Sequence, residues 1–383
     1  MSVRQFDRNV FLLNNKLDKD IQNIIKPFNI LLTIFNSSKF KIKDGYITEC
    51  EKKFHIPLYF INLFMTICSM YSMVSDTTVW PLAAISTVFI YFCLYFLQTT
   101  LLAVVNIFLS DVHISLIIKL QEVHRNFVFH TDLVKNFIIW NWISLSALPL
   151  LITFYTYIYF IATNITINMY NLNCVLVIIG YDLNFIYAIR IITMLTIYVR
   201  KWIDNTNVET VVNGVENKKY LKNMFQIYKN ILDVYKTYQT SFEVVISWGI
   251  VSVFVYSVLI VPTYIKHIHD FLLSPNKRLQ FIFLGIITPL WITKDLVVMV
   301  KICAELENFY KSIEEVQSTC ILLLTNENCS ESRKLLCKRV LHLNRTFTKM
   351  SACGLFTVDA TLPMPLIGLI THYVIVLLQF AFL

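Results

Sequence analysis

Charge is scarce in this chain, and so are the residues that break helices. Only 15% of its 383 residues are charged, where an ordinary soluble domain carries about 25%. With 7 glycines and 9 prolines, there are few points at which a long helix must stop. Nothing here has the low hydrophobicity of a disordered tract, the glycine period of collagen or the paired cysteines of a small secreted scaffold. The nine cysteines are odd in number and fall mostly in apolar runs, so they read as reduced packing residues. No glycine-rich phosphate cradle is present, and none of the eight histidines stands in an H-x-x-x-H or H-E-x-x-H pattern. His267, His269 and Asp270 form a short H-x-H-D run that reads as a solvated loop, so no metal, cofactor or catalytic residue is expected. The opening residues are charged and lack the apolar core of a signal peptide, so no leader is expected. A soluble enzyme of two or three domains does not fit this composition.

What fills the chain is apolar sequence: 56% of residues are hydrophobic and the mean hydropathy is +0.59. Helix-length apolar runs lie at about 54–75, 80–110, 136–162, 172–198, 244–265, 279–300 and 362–383. Each approaches or exceeds the ~20 residues that cross a ~30 Å hydrocarbon layer. The 46 uncharged residues between Lys135 and Asp182 would reach ~69 Å as one helix. They are therefore two crossings joined by a polar turn. The expectation is an all-α polytopic membrane protein with seven transmembrane helices; a barrel would show ~10-residue alternating segments instead. Segment 24–35, within an N-terminal portion 1–53, is too short to cross, and reads either as a re-entrant helix or as a buried helix of soluble type. Segments 200–240 and 303–358 carry apolar residues at helical spacing, such as Leu221, Met224, Phe225 and Tyr228, and read as a helical extension and a helical anchor. The loops predicted on one side carry 27 Lys and Arg against 3 on the other, which places the N-terminus in the cytoplasm and the C-terminus outside. The net charge of +8 then belongs to cytoplasmic loops, and no nucleic-acid partner is expected. Asn164 opens the sequon Asn164-Ile-Thr166 on the outer side, an expected glycosylation site.

The last run reads Thr371-His372-Tyr373, five hydrophobic residues from Val374 to Leu378, then Gln379-Phe380, with Gly354, Phe356 and Asp359 upstream as G-x-F-x-x-D. His372, Val376 and Phe380 stand at i, i+4, i+8 and share a helix face, while Gln379 is a polar group in apolar surroundings that needs a partner. By itself such a run also fits a lipid-facing or core helix whose glutamine bonds within its own bundle. The pattern resembles the insect gustatory receptor family, whose signature in the last transmembrane helix is Thr-Tyr, five hydrophobic residues and Gln-Phe. This chain departs from it by placing His372 between Thr371 and Tyr373. The resemblance implies a ligand-gated, non-selective cation channel in the plasma membrane of chemosensory neurons, opened by a small-molecule tastant without a G protein. It implies a homo- or heterotetramer within the lipid bilayer, with permeant cations passing a central pore lined by the last helix. On that picture Val376 and Phe380 form a hydrophobic constriction that closes by dewetting, Gln379 bonds a neighbouring subunit, and His372 lines the pore beside the constriction. The related odorant receptors share the architecture and usually lack the motif.

A ligand pocket is expected in the outer half of the bundle. Tyr181, Asp182 and Asn184 lie on the fourth span, with Arg190 two turns deeper; intramembrane charges are costly and normally face a cavity or a partner. Thr153, Tyr155 and Tyr159 on the third span, Tyr256 on the fifth and Phe283 on the sixth complete an aromatic wall with a few polar groups. Lys294 and Asp295 lie in the inner half of the sixth span, where Lys snorkels; as sequence neighbours on different helix faces they are not expected to pair. A secondary transporter would show internal repeats and broken helices, and none is seen. A G-protein-coupled receptor has the opposite orientation.

Overall fold

The computed structural model describes residues 15–50, 52–75, 82–127, 129, 131–163, 168–207, 218–273, 278–327 and 329–382, with side chains excepted at 52, 54, 72–75, 82–88, 91, 162–163, 207, 262–273, 278–285, 287–288 and 380–382. The elements are α1 (Lys19–Ile34), the strands β1 (Phe40–Lys43) and β2 (Tyr46–Glu49), then α2 (Lys52–Ser75), α3 (Leu82–Phe108), α4 (Ser110–Arg125), α5 (Thr131–Thr163), α6 (Met169–Asn207), α7 (Lys218–Leu273), α8 (Arg278–Thr325) and α9 (Glu331–Asn344). A second hairpin, β3 (Ser351–Ala352) and β4 (Phe356–Thr357), precedes α10 (Pro363–Phe382). Among the described residues, three helices are long and apolar enough to cross a membrane, in α5, α6 and α7. The α3–α4 pair, bent by 60°, is a fourth candidate, and α2 and α10 contain shorter apolar helices. With 56 and 48 residues, α7 and α8 are about 84 and 72 Å long.

The bundle is built around α6. Its Tyr187, Ile192, Leu195, Tyr198 and Trp202 are all buried. Ile21, Ile24, Ile25, Phe28 and Leu32 recur at three- and four-residue spacing and make α1 a half-buried helix laid on this core. Phe28 packs on Tyr187 with ring centroids 5.0 Å apart, and the Asn141 amide of α5 donates to the Ile24 carbonyl at 3.0 Å. The start of α1 is strapped to α4, where Arg125 donates two hydrogen bonds to the Asp18 carboxylate at 2.6 and 2.9 Å. Those bonds hold the Asp18 carboxyl below its ordinary value. Asp44 and Gly45 both take positive φ, as a two-residue turn joining right-twisted strands requires.

Helices α6 and α7 come into close contact where Tyr181 and Phe185, one turn apart, face Val245 and Gly249. The Tyr181 hydroxyl donates to the Val245 carbonyl at 2.8 Å. A Cβ on Gly249 would stand 1.9 Å from the Phe185 ring. Gly249→Ala is therefore expected to lower the thermal midpoint, with an overpacking cost of about 1–3 kcal/mol. Combining it with Phe185→Ala should cost less than the sum of the single changes. Strict additivity in a thermal-shift cycle would contradict this contact.

At the far end of the bundle an aromatic cluster joins α6, α7 and α8, and the Tyr228 hydroxyl donates to Asn344 Oδ1 of α9 at 2.5 Å. Trp202 packs on Tyr228 at 4.9 Å and donates to the Met224 carbonyl at 2.8 Å. Tyr235 stacks on Phe309 at 4.7 Å. Ser330 caps α9 by accepting from the Arg333 amide. The segment after α9 is held by Tyr310, whose hydroxyl accepts from the Met350 amide at 3.0 Å and donates to the Val358 carbonyl at 3.2 Å. Asp359 then closes a tight turn, accepting from the Thr361 amide at 3.0 Å, and Pro363 opens α10 at a position where no amide donor is needed. Burial alone would raise the Asp359 carboxyl, but the Thr361 hydrogen bonds and the Lys349 charge leave it below its ordinary value.

Candidate functional site

Four helices bring one cluster together. Asp182 is the fourteenth residue of α6, about 20 Å from its start, and Lys294 is the seventeenth of α8, about 24 Å from its start. The Lys294 ammonium donates to Asp182 Oδ2 at 2.6 Å and lies 2.6 Å from Asp295 Oδ1. One ammonium thus sits between two carboxylates, and all three side chains are less than one-fifth exposed. The expectation that Lys294 and Asp295 do not pair is corrected here. The long lysine stem swings towards Asp182 on the neighbouring helix, and Asp295 reaches the same ammonium from the adjacent face. Breaking such a buried set is costly because each remaining charge loses its partner.

Aromatic side chains surround these charges. The Lys294 ammonium lies 4.6 Å from the Trp291 ring centroid, within cation–π range. Tyr155 of α5 meets Trp291 edge-on at 6.5 Å. Tyr256 of α7 is in electrostatic contact with Asp295, Asp182 and Lys294, and Tyr181 with Asp182, Tyr256 and Asp295. Of the residues expected to line a pocket, Tyr155, Tyr181, Asp182 and Tyr256 therefore converge. Trp291, Lys294 and Asp295 join them, and none of these three stood among the expected pocket residues. A carboxylate pair with an aromatic wall can accept hydrogen bonds and present ring faces to a small organic molecule.

The other expected pocket residues lie elsewhere or face other partners. Asn184 turns away, donating to Ser37 Oγ at 2.7 Å and to the Gly180 carbonyl at 2.6 Å. Thr153 is exposed and donates to the Pro149 carbonyl of its own helix at 2.7 Å. Tyr159 is exposed as well. The side chain of Phe283, and residue Asn164, lie outside the described residues. Arg190 takes no part in the cluster; its guanidinium donates to Asn141 Oδ1 at 2.5 Å and lies 4.0 Å from the Phe137 ring centroid.

The last helix shows a packed side and an open one. Val374 is buried, with Leu366, Ile370 and Leu378 half-buried along the same four-residue row. His372 and Val376 lie two residues off that row, about 200° around the helix, and His372 is exposed while Val376 is half-buried. Tyr373 meets Phe254 of α7 edge-on at 5.7 Å. Thr371 donates to the Ile367 carbonyl at 2.8 Å, Gln379 is exposed, and the side chain of Phe380 lies outside the described residues. Met364, Leu369, Ile375 and Leu377 add exposed apolar surface.

The chain shares its fold with an insect olfactory receptor. The structure of olfactory receptor OR5 from Machilis hrabei in complex with eugenol superposes with a TM-score of 0.61 at 12% identity, covering 94% of this chain and 100% of that one. A second structure of the same receptor gives a TM-score of 0.58 at 12% identity, covering 93% and 97%. No protein-family model and no curated protein matches the sequence. The match covers nearly all of this chain, so its long helices belong to one shared fold.

Proposed function

We propose that this chain is a subunit of a tastant-gated, non-selective cation channel of chemosensory neurons, of the gustatory type. Seven spans cross the plasma membrane, with the N-terminus inside and the C-terminus outside. Four subunits, identical or mixed, surround a pore lined by α10. One observation carries the reading: the Tyr373 to Phe380 signature lies on the terminal helix of a chain with an insect receptor fold. The exposed apolar side of α10 supports it, since lipid or neighbouring copies must cover such a surface. The ligand sits at the Asp182–Lys294–Asp295 cluster among Tyr155, Tyr181, Tyr256 and Trp291. Binding favours the arrangement in which the α10 helices separate at Val376 and Phe380, by the margin with which the ligand prefers that state.

The second reading is an odorant-receptor-like channel subunit, favoured by the likeness to a receptor held in complex with eugenol. Whole-cell recording separates the two. Cells expressing this chain, alone and with a partner subunit, are exposed to soluble tastants and to volatile aromatics, with Phe380→Ala recorded beside the native channel. Tastant-evoked cation current independent of G proteins, with raised basal leak in Phe380→Ala, is expected. A response confined to volatiles would favour the odorant reading. Surface expression with no current under any ligand or partner would overturn the channel reading.

A further inference from the structure

Where the end of α1, α2, α3 and α6 meet lies a small cavity that the ligand and gate residues do not touch. It has a volume of about 30 Å³, room for one or two waters. Asn36, His55, Tyr59, Asn62, Thr99 and Asn106 form its polar wall, and Phe35, Leu58, Leu102, Ala103 and Val177 its apolar one. Beside it is a buried cation: Lys39 is 1% exposed, and its ammonium donates to Asn106 Oδ1 at 3.1 Å. Among the described residues that amide oxygen is its one acceptor, and no carboxylate lies within ion-pairing distance. Burial pushes the ammonium down to about 7. A buried ammonium without a counter-charge is an unfavourable arrangement unless an anion arrives to complete it.

The surroundings say what kind of anion fits. His55 stands in the field of Lys39 and Lys41. Lys41, Lys43 and Lys53 are exposed on the hairpin and at the start of α2, as are the hairpin carboxylates Asp44 and Glu49, and none of the five lines the cavity itself. Ile56, Phe60 and Phe64, at four-residue spacing on α2, form an exposed apolar stripe. An amide-lined recess backed by a buried ammonium, beside an apolar helix face, suits an anionic lipid: phosphate in the recess, acyl chain along the stripe.

We propose that this cavity binds the phosphate headgroup of an anionic membrane lipid, with Lys39 as its buried counter-charge and Asn36, Asn62 and Asn106 as neutral donors. The cavity admits phosphate oxygens, and the rest of the headgroup lies at its mouth among Lys41, Lys43 and Lys53. The proposal rests on α2 facing lipid, as the channel reading requires.

The test uses the full chain purified in detergent, with phosphatidylinositol 4-phosphate, phosphatidylcholine or inorganic phosphate added, read by native mass spectrometry and thermal shift. The anionic lipid is expected to bind about tenfold more tightly than phosphatidylcholine, a difference of about 1.4 kcal/mol, and to raise the thermal midpoint. Lys39→Met should remove that preference while leaving the lipid-free protein at least as stable, because it deletes an uncompensated buried cation. His55→Leu serves as a second variant and should weaken the preference. An unchanged preference in both variants would overturn the site. Equal protection by inorganic phosphate would make it a soluble-anion site and overturn the lipid assignment. A channel that conducts normally but shows no lipid preference would defeat this inference and leave the proposed function standing.

Discussion

Lys294→Met is expected to keep most of the protein from reaching the cell surface. The substitution preserves the length of the stem and removes the one charge that, among the described residues, neutralises Asp182 and Asp295. Removing one member of a buried ion pair costs about 3–5 kcal/mol, since the remaining charge is left without compensation. Two carboxylates would then face each other across α6 and α8, so the loss belongs at the upper end of that range. Asp182→Asn should be milder, because Lys294 keeps Asp295. The double variant Lys294→Met with Asp182→Asn should recover part of the loss, having one stranded carboxylate instead of two. The readouts are surface labelling and the thermal midpoint of the purified chain. A native midpoint for Lys294→Met would mean that the three groups do not meet.

The second large effect is expected at Tyr310, far from any ligand. Tyr310→Phe keeps the ring and its packing on Phe347. It strands the Met350 amide and the Val358 carbonyl, both of which the hydroxyl serves. Leaving a buried polar group unsatisfied costs about 1–3 kcal/mol, so two such groups threaten the docking of the segment that leads into α10. We expect altered basal current and a shifted ligand concentration for half-activation, with surface expression near native. Tyr310→Phe channels indistinguishable from native in both respects would show that the 350–358 segment is held by other contacts.

Length, charge asymmetry and apolar runs carried the all-helical character, because helix formation across apolar stretches depends on local composition. The pairing of Asp182 with Lys294 is different in kind. It is a contact between residues 112 positions apart, and composition says nothing about which helix faces which. A clue did exist: both residues lie at similar depths from the starts of their helices, and the lysine stem spans the remaining offset. Asn184 was misjudged for the opposite reason. It stands two residues from Asp182, and in a helix that spacing turns it to another face, where Ser37 waits. In the sequence Lys39 is one of ten Lys and Arg residues in segment 1–53, with nothing to set it apart. Its burial is set by the hairpin turning the chain back beside α4, where Ser110 donates to the Lys39 carbonyl, which no periodicity reveals.

Helix α7 runs unbroken for 56 residues, nearly three times the ~30 Å of hydrocarbon it would cross. Tyr256 stands on one side of the middle beside the charged cluster, while Tyr228 and Tyr235 stand on the other, against α8 and α9. A rod of this kind works as a lever. Pivoting by about 5° around its middle moves each tip by about 3–4 Å, in opposite directions. A ligand that shifts Tyr256 slightly outwards would thus swing the base of the rod inwards, against the very clasp that holds the start of α10.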